Sequence, residues 1–396
     1  MSLMVHFDPY SRQHTDDPYP TYRRLRAEAP VYHNEERQFW ALTRYDDVLA
    51  AFRDHRRFIS SEGVTIERMG KGLPYLITRD PPDHSWHKAL AVKVFSSRRM
   101  ARLEPFIRAR AIELIEALAD HEEVDIFKDF TVRLPLDVIS ELIDIPPEYR
   151  AEIHHWTSRS LLRGEDGSME MIRESHVRRR AIYLELIEAR RRHPREDMIT
   201  ALIDMAVTDE VGAVHRFTNE EIAYHFSELA SAGHETVAKA IPNALLALDE
   251  FPDERAKITA RPARIGHAVE ELLRWDAPSQ FQGRAAACDV TLHGVTIPKG
   301  DMVMLVNGSA TRDETAFADA DRVDLDRKLD TRAIHFGFGI HKCLGIHLAR
   351  VELRIALEEM FARFPDHKVH RERARRDIVA NVRGVSGLPM SPGAHA

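Results

Sequence analysis

The run His335-Phe336-Gly337-Phe338-Gly339-Ile340-His341-Lys342-Cys343-Leu344-Gly345 sets a cysteine among three glycines, directly ahead of a helical pattern. A thiolate that is to hold a metal needs a lowered pKa, which the N-terminus of a following helix can supply. It needs backbone amides turned toward the sulfur, and glycines allow the positive-φ turns that aim them. It also needs small neighbours if a flat ligand is to approach closely. Gly337, Gly339 and Gly345 meet these needs around Cys343. Other readings of the same residues are weaker. A lone cysteine is commonly a small buried hydrophobe, and that is the expectation for Cys288, which has no glycine setting. His335, His341, Cys343 and His347 could ligate zinc, but their spacing matches no common zinc pattern and zinc would not require the glycines. A nucleotide loop would need a third glycine where Lys342 stands.

Two further groupings could carry chemistry. Ala232-Gly233-His234-Glu235-Thr236 combines a hydroxyl and a carboxyl beside a glycine. In a dry pocket such a pair can hold water and relay protons. Thr236 can equally bond back to the carbonyl of Ala232, as mid-helix threonines do. A zinc-protease reading of His234-Glu235 fails, because Ala238 stands where the second histidine would be. Glu271 and Arg274 lie three apart, so on a helix they share a face and can pair.

Helices must position most of these residues. Thr218-Asn219-Glu220-Glu221 is a capping-box pattern. The helical pattern it opens runs to about Asp249, ~32 residues or ~48 Å, long enough to cross the molecule. Pro242 inside it removes one backbone donor and is expected to kink the helix or open its ladder. After Cys343, apolar Ile346, Ala349, Leu353, Ala356 and Met360 recur at steps of three and four, which predicts a second helix. Short strands are expected at Val31-Tyr32 and Phe39–Leu42, and again within Asp289–Val306, with turns at His293-Gly294 and Pro298-Lys299-Gly300.

The chain has 396 residues, 44% of them hydrophobic, and a formal charge of −7. That composition supports a large core and lacks the basic footprint of a nucleic-acid binder. No apolar run approaches the ~18 residues of a membrane span, and no secretory signal is visible. Two cysteines and no such signal point to the cytoplasm. There is no repeat and no Gly/Ser linker, so one unit over 1–396 is expected.

The cysteine loop resembles the haem-binding signature of the cytochrome P450 superfamily, F-G-x-G-x-H-x-C-x-G, at every specified position, and Leu348-Ala349-Arg350 is similar to its soluble bacterial members. The resemblance extends from Asp17-Pro18-Tyr19-Pro20 to Leu388-Pro389. It implies a mainly α fold: a large helical body, a small β-sheet lobe, and haem b (iron protoporphyrin IX) between the long central helix and the cysteine-loop helix. Cys343 would be the iron ligand, with Phe336, Gly337, Gly345 and Ala232 against the macrocycle. A thiolate ligand pushes electron density toward oxygen and favours O–O cleavage. Thr236 and Glu235 would deliver protons. His84, Lys88, Arg284 and His341 would hold the propionates, Lys88 departing from the arginine usual in the family. Glu271, Arg274 and a downstream arginine, read as Arg322, would form a buried scaffold network.

The implied activity is monooxygenation of a largely apolar small molecule, most commonly hydroxylation, with electrons from an iron–sulfur ferredoxin and its reductase. Lys342, Arg332, Arg98, Arg99 and Arg102 are the candidate docking cations. The pocket is expected to draw on Ser60–Thr78, Trp156–Met171, Leu229–Thr236, Pro278–Gln282 and Val382–Leu388, with Leu229, Gly233, Gln280, Phe281 and Val385 as substrate contacts. Arg68, Gln280, Gln282 and Arg383 would meet a polar handle on the substrate. A peroxide-driven peroxygenase and a non-catalytic haem carrier are the alternatives, and Glu235-Thr236 argues against both.

Overall fold

The computed structural model describes residues 5–95, 97–163, 167–209, 211–329 and 333–393, with the backbone alone for 94 and 97–101. Helices dominate. Those that build or support the site are α1 (Asp83–Val94), α2 (Ser97–Glu116), α3 (Arg133–Ile143), α4 (Pro147–Arg159), α5 (Met169–Arg192), α6 (Asn219–Glu250), α7 (Ile265–Trp275) and α8 (Ile346–Arg363).

Helix α6 is the axis of the body. Thr218 Oγ1 accepts the Glu221 amide at 3.2 Å, and the Glu221 carboxylate accepts the Thr218 amide at 2.9 Å. The helix is continuous through Pro242. From Ile222 to Leu248 it is buried on nearly every side, which is the pattern of a helix enclosed by others rather than lying on a surface. It packs against α3, α5, α7 and α8. Each fully buried Leu, Ile or Phe in that core contributes roughly 1.5–3 kcal/mol.

A five-stranded sheet lies beside this body. Its order is β1 (Val31–Asn34), β2 (Phe39–Leu42), β7 (Met302–Leu305), β4 (Gln282–Ala286) and β3 (Phe58–Ile59). β2 and β7 run parallel, and the other pairs are antiparallel. β5 (Val290–Leu292) and β6 (Val295–Ile297) form a separate hairpin. His293 and Gly294 turn it with φ of 48° and 79°, as the two-residue turn of a tight hairpin requires. The expected strands at Val31-Tyr32, Phe39–Leu42 and within Asp289–Val306 are all present. Gly283 has a close neighbour: a Cβ there would lie 2.6 Å from the backbone of Val64, whose carbonyl accepts the Gly283 amide at 2.9 Å.

Cys288 is exposed just ahead of β5, not buried as expected. It falls in the turn that leaves β4, where the chain has already passed out of the sheet's covered face. No helix among the described residues is long and apolar enough to cross a membrane.

Candidate active site

Cys343 lies at the wall of a cavity between α6 and the loop that leads into α8. His225, Glu228, Leu229, Ala232, Gly233, Thr236, Val237 and Ala240 supply one wall at helical spacing. Phe336, Gly337, Ile340, Cys343, Leu344 and Gly345 supply another, continued by Leu348 and Ala349. The loop is held by the Cys343 amide on the Phe336 carbonyl at 3.0 Å. Gly337 and Gly339 take φ of 67° and 72°. At Gly339 a Cβ would also meet the Phe52 carbonyl oxygen at 2.3 Å, so only glycine fits. Gly345 is different: its φ is −84°, and a Cβ there would meet no protein atom within 4 Å. It faces the cavity, so its small size leaves room for a planar group rather than enabling a turn.

Cys343 is exposed toward the cavity, yet the protein packed around it still pushes its thiol above the ordinary pKa by desolvation, opposed by the Gly345 amide, Arg350 and Lys88. The expected lowering therefore does not come from the protein alone. A metal ion on the sulfur deprotonates a coordinating thiol outright.

One end of the cavity gathers His84, Lys88, Arg284 and His341. The rings of His84 and His341 meet edge to face, 4.4 Å apart. His341 Nε2 lies 3.1 Å from Ser60 Oγ. Lys88 Nζ donates to the Ile340 carbonyl, and Arg284 Nη1 to the Gly283 carbonyl at 2.6 Å. These cations thus donate to neutral carbonyls, and burial drives Arg284 down to about 10 against the pull of Asp80. His84 is pushed down to about 4, by burial first and then Lys88. Such a cluster calls for anionic partners, and two carboxylates of a macrocycle would supply them. Together with the sulfur, the small residues and the apolar walls, the donor set fits haem. A zinc site is not assembled: His335 turns to Glu270, His341 to Ser60, and no group of three metal-ligating side chains forms among the described residues.

Thr236 faces the cavity, and its hydroxyl donates to the Ala232 carbonyl at 2.7 Å. Glu235 points elsewhere. It is buried, and its Oε1 accepts the Ser158 hydroxyl of α4 at 2.8 Å, with His234 Nδ1 at 3.6 Å. Burial pushes this carboxyl up, but His234, Lys239, Ser158 and His154 outweigh it and hold it below its ordinary value. Gly233 is doubly constrained: it lines the cavity, and a Cβ would press on Ile139 Cδ1 of α3 at 3.0 Å.

The scaffold network forms with one correction. Arg274 Nε and Nη2 donate to Glu271 at 2.7 and 2.8 Å, and both side chains are buried. The third arginine is Arg327, whose Nε donates to Glu271 Oε1 at 3.1 Å. Arg322 is exposed and offers only its carbonyl to Arg274 at 3.0 Å, because the turn from Asp319 to Arg322 carries its side chain outward.

Several expected pocket residues also fall elsewhere. Gln280 is tied to Tyr22 and Ala277, and Phe281 packs under the sheet. Val385 is buried behind α6, with its carbonyl on Lys239. Alternation along β4 turns Gln282 and Arg284 to the cavity instead. Arg383 pairs with Asp276, and Arg68 bonds Glu62 and Gly300. The segment Ser60–Thr78 contributes Leu76 and Ile77, while Trp156–Met171 and Val382–Leu388 contribute none of their described residues. Residues missed in the sequence include Ile139, His225, Glu228, Asn307 and Glu352. The stripe His225, Glu228, Leu229, Ala232, Gly233, Thr236 follows helical spacing and would have exposed two of them. Of the candidate docking cations, Lys342 and Arg102 are exposed, whereas Arg332 and the side chains of Arg98 and Arg99 lie outside the described residues.

A mainly helical body with a cysteine loop facing a long central helix across an apolar cavity, and with buried Arg284, half-buried Lys88 and two imidazoles clustered at its wall, defines a haem-thiolate protein. The sequence profile described as Cytochrome P450 matches residues 266–392. A vitamin D(3) 25-hydroxylase of Pseudonocardia autotrophica is 36% identical over 402 residues, covering 98% of this chain and 96% of the relative. Among solved structures, cytochrome P450 CYP109Q5 from Chondromyces apiculatus superposes with a TM-score of 0.89 at 29% identity, covering all of both chains. CYP109E1 from Bacillus megaterium, in complex with corticosterone, gives 0.84 at 29% identity over 97% of this chain and 100% of that one. The chain belongs to the cytochrome P450 family. It is a haem monooxygenase, an oxidoreductase whose cofactor is iron protoporphyrin IX.

Proposed function

We propose that this protein, as one haem-thiolate domain, inserts one atom of dioxygen into a largely apolar small molecule, most commonly as a hydroxylation, using electrons from a separate ferredoxin and its reductase. The observation that carries the reading is Cys343 at the wall of an apolar cavity whose other wall presents Thr236. Bound there, haem supplies the oxygen-activating chemistry, and the thiolate favours O–O cleavage. The chain's residues do the rest. Cys343 would hold the iron, and His84, Lys88, Arg284 and His341 the propionates. Thr236 would hold a water or donate its hydroxyl proton in the cavity. Glu235, reached through Ser158 from the side away from the cavity, would pass protons inward. Leu76, Ile77, Leu229 and Leu273 exclude water. The steroid in the similar CYP109E1 complex and the vitamin D hydroxylase among the relatives support an apolar substrate. An exposed Lys342 beside the cysteine supports docking of an acidic electron carrier on that face.

The carbon monoxide spectrum of the dithionite-reduced protein tests the ligand. A strongly red-shifted Soret band, lost in Cys343→Ser, is expected, and a band at the position of histidine-ligated haem would overturn the assignment of Cys343. Substrate-dependent NADPH consumption with a ferredoxin and its reductase tests the activity.

A further inference from the structure

The cavity's charged residues are unevenly placed. Lys88, Arg284 and Lys342 lie toward the cysteine loop with the two imidazoles of His84 and His341, and a second carboxyl, Glu352, enters the lining from α8 beside Leu348 and Leu353. Glu228 stands apart on α6, eight residues before Thr236, two turns or about 12 Å along the helix axis. Its neighbours on the cavity wall are Leu76, Ile77 and Leu229. One carboxylate oxygen accepts the Leu76 amide and the other the Ile77 amide, each at 2.9 Å. Those two bonds fix the carboxylate's orientation. Each oxygen of an ionised carboxylate has about two acceptor positions, so one on each remains.

We propose that Glu228 is the recognition point for the substrate's polar end, and that it selects molecules carrying a hydrogen-bond donor or a positive charge there and rejects carboxylates. The proposal rests on the reading of this cavity as the substrate site. It follows from the chemistry of the wall. Once ionised, as at pH 8, the carboxylate is acceptor-only, and among leucine and isoleucine it is stabilised by a donor and destabilised by a second anion. Burial already pushes the Glu228 carboxyl up to about 7, against the two amides and Arg79. A substrate hydroxyl or ammonium would relieve that cost, and a substrate carboxylate would add to it. The two arginines expected from the sequence to meet a polar handle are not at the wall: Arg68 is tied to Glu62, and Arg383 to Asp276. Because Glu228 and Thr236 are two turns apart, oxidation falls on a carbon several bonds from the recognised group, not next to it.

The test is equilibrium binding to the haem-loaded protein by calorimetry at pH 8. The probes are 1-dodecanol, dodecyltrimethylammonium and dodecanoate, of one chain length and below their micelle concentrations. A charged acceptor facing a donor is worth about tenfold or more in affinity. The wild type is expected to bind the alcohol and the cation at least about tenfold more tightly than dodecanoate. Glu228→Gln is expected to bring the three affinities together. Ratios within one variant cancel any general loosening of the Leu76–Ile77 wall. A wild type that prefers dodecanoate, or a Glu228→Gln protein with unaltered ratios, overturns the role of Glu228 alone. Binding of none of the probes by a protein with an intact carbon monoxide band overturns both the role and the reading of the cavity as a site for apolar molecules.

Discussion

Replacing Glu271 with alanine should destabilise the protein by about 3–5 kcal/mol, the cost of removing one partner of a buried ion pair. Glu271 receives four donors: Arg274 Nε and Nη2, Arg327 Nε at 3.1 Å, and the Asp324 amide at 2.9 Å. The variant leaves Arg274, 0% exposed, with a full charge and only the carbonyls of Thr311, Ala320 and Arg322. Glu271→Gln keeps the shape and some of the hydrogen bonds, so its loss should be smaller, ~1–3 kcal/mol. Typical domains hold only ~5–15 kcal/mol in reserve, so the alanine variant should unfold at markedly lower denaturant. The assay is guanidinium unfolding followed by both far-ultraviolet circular dichroism and the Soret band. Arg327→Ala should lower the midpoint clearly, and Arg322→Ala should cost no more than ~0.5 kcal/mol, as an exposed side chain does. A Glu271→Ala protein within ~1 kcal/mol of wild type would refute the reasoning, because no desolvated charge would then have been stranded.

Thr236→Ala should leave substrate affinity unchanged while diverting electrons to hydrogen peroxide; product formed per NADPH consumed is the measure, and fully coupled turnover would remove Thr236 from proton delivery. Gly339→Ala places a Cβ against the Phe52 carbonyl at a φ of 72°. It should cost more than ~1 kcal/mol and lower haem occupancy, read by thermal unfolding and the ratio of Soret to protein absorbance. Glu270 is pushed up by burial but held at about 2 by His335 and Arg350, below the ordinary 4.5. A depressed carboxyl stabilises above its unfolded value and loses that contribution as pH falls through the folded one. The native state should therefore lose up to ~3 kcal/mol between about pH 5 and pH 2 from this group. Glu270→Gln should show a shallower pH dependence of the urea midpoint, and parallel curves would sink the attribution.

Much of the fold was legible because its signals are local. The capping box at Thr218 fixed the start of α6, and the stripe from Ile346 to Met360 matched α8. The turns at His293-Gly294 and Pro298–Gly300 bounded their strands. The cysteine loop was legible as a motif, although its glycines divide into two kinds of work that spacing does not separate. What escaped depends on long-range geometry. Whether Arg322 or Arg327 reaches Glu271 is decided by a turn, not by the pattern around either. Gln280, Phe281 and Val385 lie near the cavity in sequence but face away from it. Period-two alternation along β4 would have favoured Gln282 and Arg284 over Phe281. Glu235 and Thr236 are adjacent on α6, where side chains diverge by about 100°; Thr236 falls on the cavity stripe with Ala232 and Ala240, and Glu235 falls outside it, toward Ser158 of α4.

The parallel pairing of β2 with β7 joins Phe39 to Met302 across 263 residues of chain. At a synthesis rate of ~5–20 residues per second, β2 waits roughly 13–50 s for its partner to be made. The edge it offers meanwhile carries Phe39 and Trp40 and is open to pairing with other chains. Cys343 comes later still, so a ribosome-bound chain short of it can build most of the wall of α6 but cannot hold the iron. Cofactor capture therefore has to wait until Cys343 has been made, and a shortage of haem should leave a chain with α6 already built dependent on chaperones.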